Sequence, residues 1–234
     1  MKVVHVEARL KSKVTLPDSF IKKLPKKVAV FTTIQLMDSL EGMLKQIIDS
    51  GRKAVVFKTG HTRNKGQILG CNIQTWDDYA SESFDAFVYI GDGLFHPKAL
   101  LWKNEDKMVY AFNPFSDKQF ILDKIEMDMV KKRHIAALSK FYLSKKIGVI
   151  ITTKPGQMML KRALELKEEY PEKEFYFFLD NTYNFGSLED FPFVEVWINT
   201  ACPRIGFDDS IKISKPIINL EEVKKNNPKR ALIR

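Results

Sequence analysis

Two cysteines stand in a chain of 234 residues, Cys71 in "GQILGCN" and Cys202 in "NTACPRIGFDD". A thiolate is a soft ligand for zinc, copper and iron–sulfur clusters, and it is also a nucleophile. The plainer explanation of a lone cysteine is a small, inert core residue. Both of these lie among Gly, Pro and polar residues, where a chain turns rather than packs. Two thiols so far apart make no disulfide framework and no C-x-x-C zinc site. A site of Cys71, Cys202, His61 and His96 could be assembled only by folding and carries little weight. Iron–sulfur clusters commonly take four thiolates, three if one iron stays open to a substrate, and this chain holds two.

Other residues could line a pocket. In "GDGLFHP", Gly91 and Gly93 would let the backbone approach a ligand closely, with Asp92 and His96 beside them. In "KPGQ", Gly156 and Gln157 at the start of a helix could aim N–H groups at a carboxylate or nucleotide. Arg204 and Asp208 follow Cys202 within one turn or two. Each has a bland alternative: a tight turn, a simple helix entry, and packing or surface roles for His96 and His134. None matches a dinucleotide or phosphate-loop fingerprint.

The elements that would carry these residues form a repeat. "KKVAVFTTIQLMDSLEGMLKQIIDSGRKAVVFKTG" reads as strand, Thr-Thr turn, amphipathic helix, glycine stop and strand. "KKIGVIITTKPGQMMLKRALELKEEYPEKEFYFFLDN" repeats that order at nearly the same length. Leu36, Leu40, Met43, Leu44 and Ile47 mark the first helix face; Met159, Leu160, Ala163, Leu164 and Leu166 mark the second. Nearly continuous apolar strands joined through helices predict parallel sheets covered on both faces, with right-handed crossovers. Further strands lie in "FDAFVYIGDG", "KMVYAFNPF" and "FVEVWINTACP", and "DKIEMDMVKKRHIAALSKFYL" has helix composition. The fold class is α/β: two related small parallel-sheet domains with flanking helices. A β-like stub, "KVVHVEARL", occupies part of 1–24; a domain with Cys71 spans 25–120, a linking helix 121–140, and a domain with Cys202 141–234. In such sheets ligands bind beyond the carboxyl ends of the strands, where both cysteine loops fall, the first just ahead of a short helix "IQTWDDYASE".

Composition narrows the class. Apolar content of 44% and charged content of 29% are those of a globular protein. No apolar run approaches a membrane span, and "MKVVHVEARLKSKV" lacks the core of a secretory signal, so a cytoplasmic protein is expected. The net charge of +9 is spread over "KKLPKK", "KKRH" and "KSKK" without a basic stripe interleaved with aromatics. Direct nucleic-acid binding is not required by it.

"GQILGCN", "YIGDGLFHP", "KKIGVIITTKPGQ", "DFPFVEVWINTACPR" and the following "DD" occur in that order. Together they resemble the archaeal diphthamide synthesis family, the 2-(3-amino-3-carboxypropyl)histidine synthases, over nearly the whole chain. The resemblance implies three pseudo-symmetric α/β domains around a central site, of which this chain shows the second and third. The stub resembles only the last strand of the first. It implies a 4Fe–4S cluster with one cysteine from each domain, Cys71 and Cys202 being two of them. It also implies S-adenosylmethionine bound at the open iron, in an unusual branch of radical-SAM chemistry that cleaves the sulfur–γ-carbon bond. The product group is added to a histidine of translation elongation factor 2. Gly91, Asp92, Gly93, His96, Gly156, Gln157, Arg204 and Asp208 become cofactor-pocket candidates. Asn113 departs from the family, which commonly has Asp there. The expected partner is a separate chain supplying the first domain and third cysteine, or a dimer with a family member. The competing expectation is a non-catalytic accessory or binding subunit.

Overall fold

The computed structural model of the protein describes residues 4, 6–73, 75–76 and 83–225. The chain divides into two compact units, residues 1–127 and 128–234. Strands of the first unit are β1 (Lys27–Thr32), β2 (Lys53–Val55), β3 (Ala86–Ile90), β4 (Met108–Asn113) and β5 (Lys118–Leu122). Its helices are α1 (Asp18–Ile21), α2 (Leu40–Asp49) and α3 (Phe95–Leu101), and α4 (Ile125–Leu143) runs across the boundary. The second unit adds β6 (Lys146–Thr152), β7 (Glu174–Asp180), β8 (Val196–Asn199) and β9 (Ile217–Asn219). With them come α5 (Leu160–Leu164), α6 (Leu166–Glu169) and α7 (Leu220–Lys225).

The sheets run β2-β1-β3-β4-β5 and β7-β6-β8-β9, so the second repeats the first four positions of the first. All pairings are parallel except β4 with β5, which closes the edge of the first sheet as an antiparallel hairpin. Continuous apolar strands demand cover on both faces. Val28, Val30, Val88 and Ile90 pack under Leu36, Leu40, Met43 and Ile47, as the helical spacing of those residues anticipates. Phe31 and Phe87 turn the other way, into an aromatic cluster with Phe57, Trp76 and Phe84. In the second unit Ile147, Val149 and Ile151 pack with Ala163 and Leu166, and Ile150 and Trp197 form the opposite core.

The repeat extends to strand entry. The Asp85 carboxylate accepts from the Lys27 amide at 3.0 Å, while the Asp85 amide donates to the Lys27 carbonyl. Glu195 accepts from the Lys145 and Lys146 amides at 2.8 and 2.7 Å, and its own amide donates to Lys146. An acid just ahead of the third strand thus caps the start of the first strand in both units.

Several elements differ from the sequence expectation. The first amphipathic helix opens as a 3-10 turn, Ile34–Ser39, before α2 begins. The second breaks into α5 and α6 at Glu165, and Leu164 points to solvent. The described residues of "KVVHVEARL" form no strand; there the Leu10 amide donates to the Gln35 carbonyl and Arg9 pairs with Glu7 and Asp38. Most of the expected helix "IQTWDDYASE" lies outside the described residues, as does the end of the chain beyond residue 225. No helix among the described residues is long and apolar enough to cross a membrane.

Two outcomes test this packing. A Cβ built on Gly148 lies 2.3 Å from the buried Trp197 ring, so Gly148→Ala should destabilise the protein by about 1–3 kcal/mol in chemical denaturation. The two amide donors hold the Glu195 carboxyl below the usual carboxylate range. A depressed acid contributes stability that is present above its unfolded pKa and lost as pH falls through the folded one. Denaturation midpoints between about pH 3 and 6 should therefore fall less steeply in Glu195→Gln than in the parent protein.

Candidate functional site

Parallel strands end together, and their carboxyl ends diverge where the chain order reverses, here between β1 and β3 and between β6 and β8. In the first unit the backbone beyond β2 swings back to extend β1. The Thr32 amide donates to the Gly66 carbonyl at 2.8 Å, and the Ile68 amide to the Thr32 carbonyl at 2.9 Å. The Thr32 hydroxyl donates to the Ile90 carbonyl at 2.6 Å, tying β1 to the end of β3. This brings the segment leading into Cys71 to the reversal point.

The Cys71 loop is then fixed by its neighbour. Buried Asn72 accepts from the Leu69 amide at 2.7 Å and donates to the Gly60 carbonyl at 3.1 Å. Gly70 crosses so close to Phe95 that an added Cβ would lie 1.9 Å from the ring. Cys71 itself is exposed. A cleft of about 510 Å³ is lined by Thr33, Gln35, Gln67, Leu69, Asp92, His96 and Phe115 among others, Leu69 being two residues ahead of Cys71.

Asp92 and His96, both singled out from sequence, share that cleft. The buried Tyr89 hydroxyl donates to the Asp92 carbonyl at 3.1 Å and lies 3.3 Å from His96 Nδ1, with the two rings stacked. Burial pushes the Tyr89 phenol well above its ordinary pKa, so it stays a donor. Asn113 donates to the Asp92 carboxylate at 2.7 Å and accepts from the Phe115 amide. An aspartate in its place would bring a second carboxylate to Asp92 and no donor. Gly91 permits this arrangement, since a Cβ there would lie 2.4 Å from the Tyr89 oxygen; Gly93 has φ +65° in an open turn.

In the second unit Cys202 lies three residues past the end of β8, and Pro203 opens a 3-10 turn, Pro203–Gly206. The Cys202 side is half-buried. Arg204 turns inward: it is 4% exposed and its guanidinium grips the Asp208 carboxylate, one turn on. That pair holds the turn after Cys202 rather than presenting Arg204 to solvent. The Thr200 amide and hydroxyl both donate to the Ile150 carbonyl, at 3.1 and 2.9 Å.

Gly156 and Gln157 do not open a helix. Lys154–Gln157 is a β-turn in which the Gln157 amide donates back to Lys154, and α5 starts at Leu160. Pro155 followed by Gly156 at φ +80° is the pattern of a type II turn, which engages the Gln157 N–H, one of the two expected to face a ligand.

The sequence reading missed Asn72, Tyr89, Asn199 and Asn219. β8 ends "WIN" and β9 ends "IIN", but only the register of the ladder sets those two asparagines opposite each other. Among the described residues no group of three or more His, Cys, Asp or Glu gathers as a metal site. The donor set is therefore one thiol in each unit, each on an anchored loop at a strand end. A soft thiol on such a loop has the chemistry of a protein ligand to an iron–sulfur cluster, whose other ligands must come from other groups.

The profile of the diphthamide synthesis protein family matches residues 1–227. The chain is 33% identical over 208 residues to the 2-(3-amino-3-carboxypropyl)histidine synthase of Pyrococcus horikoshii, covering 87% of this chain and 58% of that protein. It is 31% identical to the synthase of Methanocaldococcus jannaschii, covering 81% and 56%. The crystal structure of Dph2 from Pyrococcus horikoshii with a 4Fe-4S cluster matches with a TM-score of 0.71 at 30% identity, over 88% of this chain and 59% of that one. The chain thus spans less than two thirds of the length of these relatives, and by its match over nearly all its residues it belongs to the diphthamide synthesis family.

Proposed function

We propose that the chain acts as part of a 2-(3-amino-3-carboxypropyl)histidine synthase, with Cys71 and Cys202 each ligating one iron of a 4Fe–4S cluster. The supporting observation is that each unit holds its one cysteine on an anchored loop at the carboxyl ends of its strands, in a chain similar to a relative that carries such a cluster. The third thiolate comes from polypeptide outside these 234 residues. When bound, the cluster would supply the electron for cleavage of the sulfur–γ-carbon bond of S-adenosylmethionine. Methylthioadenosine would leave, the 3-amino-3-carboxypropyl radical would add to a histidine carbon of translation elongation factor 2, and loss of that carbon's proton with return of one electron would restore the imidazole ring.

The residues of this chain hold and orient. Cys71 and Cys202 present thiolates, and the Asp92–His96 cleft, pinned by Tyr89 and Asn113, offers polar groups to the amino-acid part of the methionine. Gly93 and the Lys154–Gln157 turn contribute backbone only.

The test is anaerobic reconstitution with iron and sulfide, with this chain alone and with the remaining portion of the Pyrococcus horikoshii relative as a separate chain. Cluster absorbance, methylthioadenosine release and modification of the elongation factor should appear with both together and be lost in Cys71→Ala and in Cys202→Ala. A folded complex that binds the elongation factor yet forms no cluster would support the accessory-subunit reading instead.

A further inference from the structure

We infer that Asn199 and Asn219 are positioning residues for the Cys202 thiol, a pair of buried carboxamides that fix its loop before any ligand arrives. The inference rests on the reading of Cys202 as a metal ligand, but its geometry stands in the chain itself. Asn199 is 1% exposed and Asn219 5%. The Asn199 Nδ2 donates to the Cys202 carbonyl at 2.8 Å and to Asn219 Oδ1 at 2.7 Å, while Asn199 Oδ1 accepts from the Ala201 amide at 3.0 Å. Asn219 Nδ2 donates to the Pro203 carbonyl at 2.9 Å.

These partners leave one orientation for each amide. Ala201 offers only a donor and Cys202 and Pro203 offer only acceptors, so turning either carboxamide over would set like against like. The Ile205 amide also donates to the Cys202 carbonyl, at 3.0 Å, so that oxygen has both lone pairs engaged. Cys202 precedes a proline, which confines it to extended backbone, and it lies at φ −58° and ψ 124°. With the residue before it, its own carbonyl and the residue after it all bonded to the asparagine pair, little freedom remains except rotation about the thiol's own side-chain bond. Gly206 completes the device: a Cβ there would come within 2.5 Å of Asn219, so only glycine lets the turn close over the amide.

A pair that merely stabilised the fold would act equally on both cysteines; a positioning pair acts on one. The experiment therefore reads Cys202 locally and without a cluster. A nitroxide label is attached to Cys202 in a Cys71→Ser background, and its mobility is read by continuous-wave electron paramagnetic resonance. Alkylation of Cys202 by iodoacetamide is timed in parallel, with Cys71 of the otherwise unaltered chain as the internal control. Asn199→Ala frees the Cys202 carbonyl and the Ala201 amide together and should mobilise the label and speed alkylation severalfold. Asn219→Asp keeps the acceptor for Asn199 but loses the donor to Pro203, and should fall between Asn199→Ala and the parent. Cys71 should react at the parent rate throughout. Folding is checked by circular dichroism. Unchanged label mobility in folded Asn199→Ala and Asn219→Asp would overturn the inference. So would loss of the folded state in both, which would assign the pair to the fold rather than to Cys202. The separate proposal of cluster ligation fails independently, if the unlabelled complex with both cysteines intact takes up no iron and sulfide although the Cys202 label is well ordered in the parent background.

Discussion

A parallel strand that ends inside a protein leaves its last amide and carbonyl groups without ladder partners, and burying them unpaired costs about 1–3 kcal/mol each. Side-chain amides and hydroxyls answer that demand at both reversal points of this chain. Thr32 reaches the Ile90 carbonyl, Thr200 the Ile150 carbonyl, Asn72 the Leu69 amide and the Gly60 carbonyl, and Asn199 the Ala201 amide and the Cys202 carbonyl. The cysteine loops are consequences of this satisfaction. Their backbones are held by these bonds, with Cys71 exposed and Cys202 half-buried.

The same logic separates the two units. In the first, the anchoring amide belongs to the residue next to Cys71 and the loop is a long excursion that returns to β1. In the second, the anchor sits three residues ahead of Cys202 and leans on a neighbouring strand. A duplicated sheet order therefore does not give duplicated sites; each unit reaches a strand-end thiol by its own route.

Much of the sheet was legible because β1, β3, β4, β6 and β8 are nearly unbroken apolar runs, a pattern that only strands buried on both faces require. β5 and β9 escaped notice: one is half exposed and the other has three residues, too few for any period to declare itself. The thiols could be read from the sequence, since their Gly- and Pro-rich surroundings are local. The asparagine pair could not, because its meaning depends on the register of β8 on β9, which sets Asn199 opposite Asn219 across twenty positions of chain. Arg204 misled for a related reason. A charged residue beside a candidate ligand suggests a pocket, but here Arg204 is buried and its guanidinium is engaged by Asp208 one turn on.

The β4–β5 hairpin has a consequence for how the chain assembles. Two units with the same order of parallel strands carry interchangeable edges, and strands of one repeat can add to the sheet of the other while both are incomplete. β5 pairs with β4 across a four-residue connection, a local contact that closes far sooner than any crossover between parallel strands. Once formed, it occupies the open side of β4 with a strand of opposite direction, which no strand among the described residues of the second unit duplicates. The hairpin thereby marks the first sheet as finished, and the chain acquires kinetic distinction between two halves whose topology alone would not tell them apart.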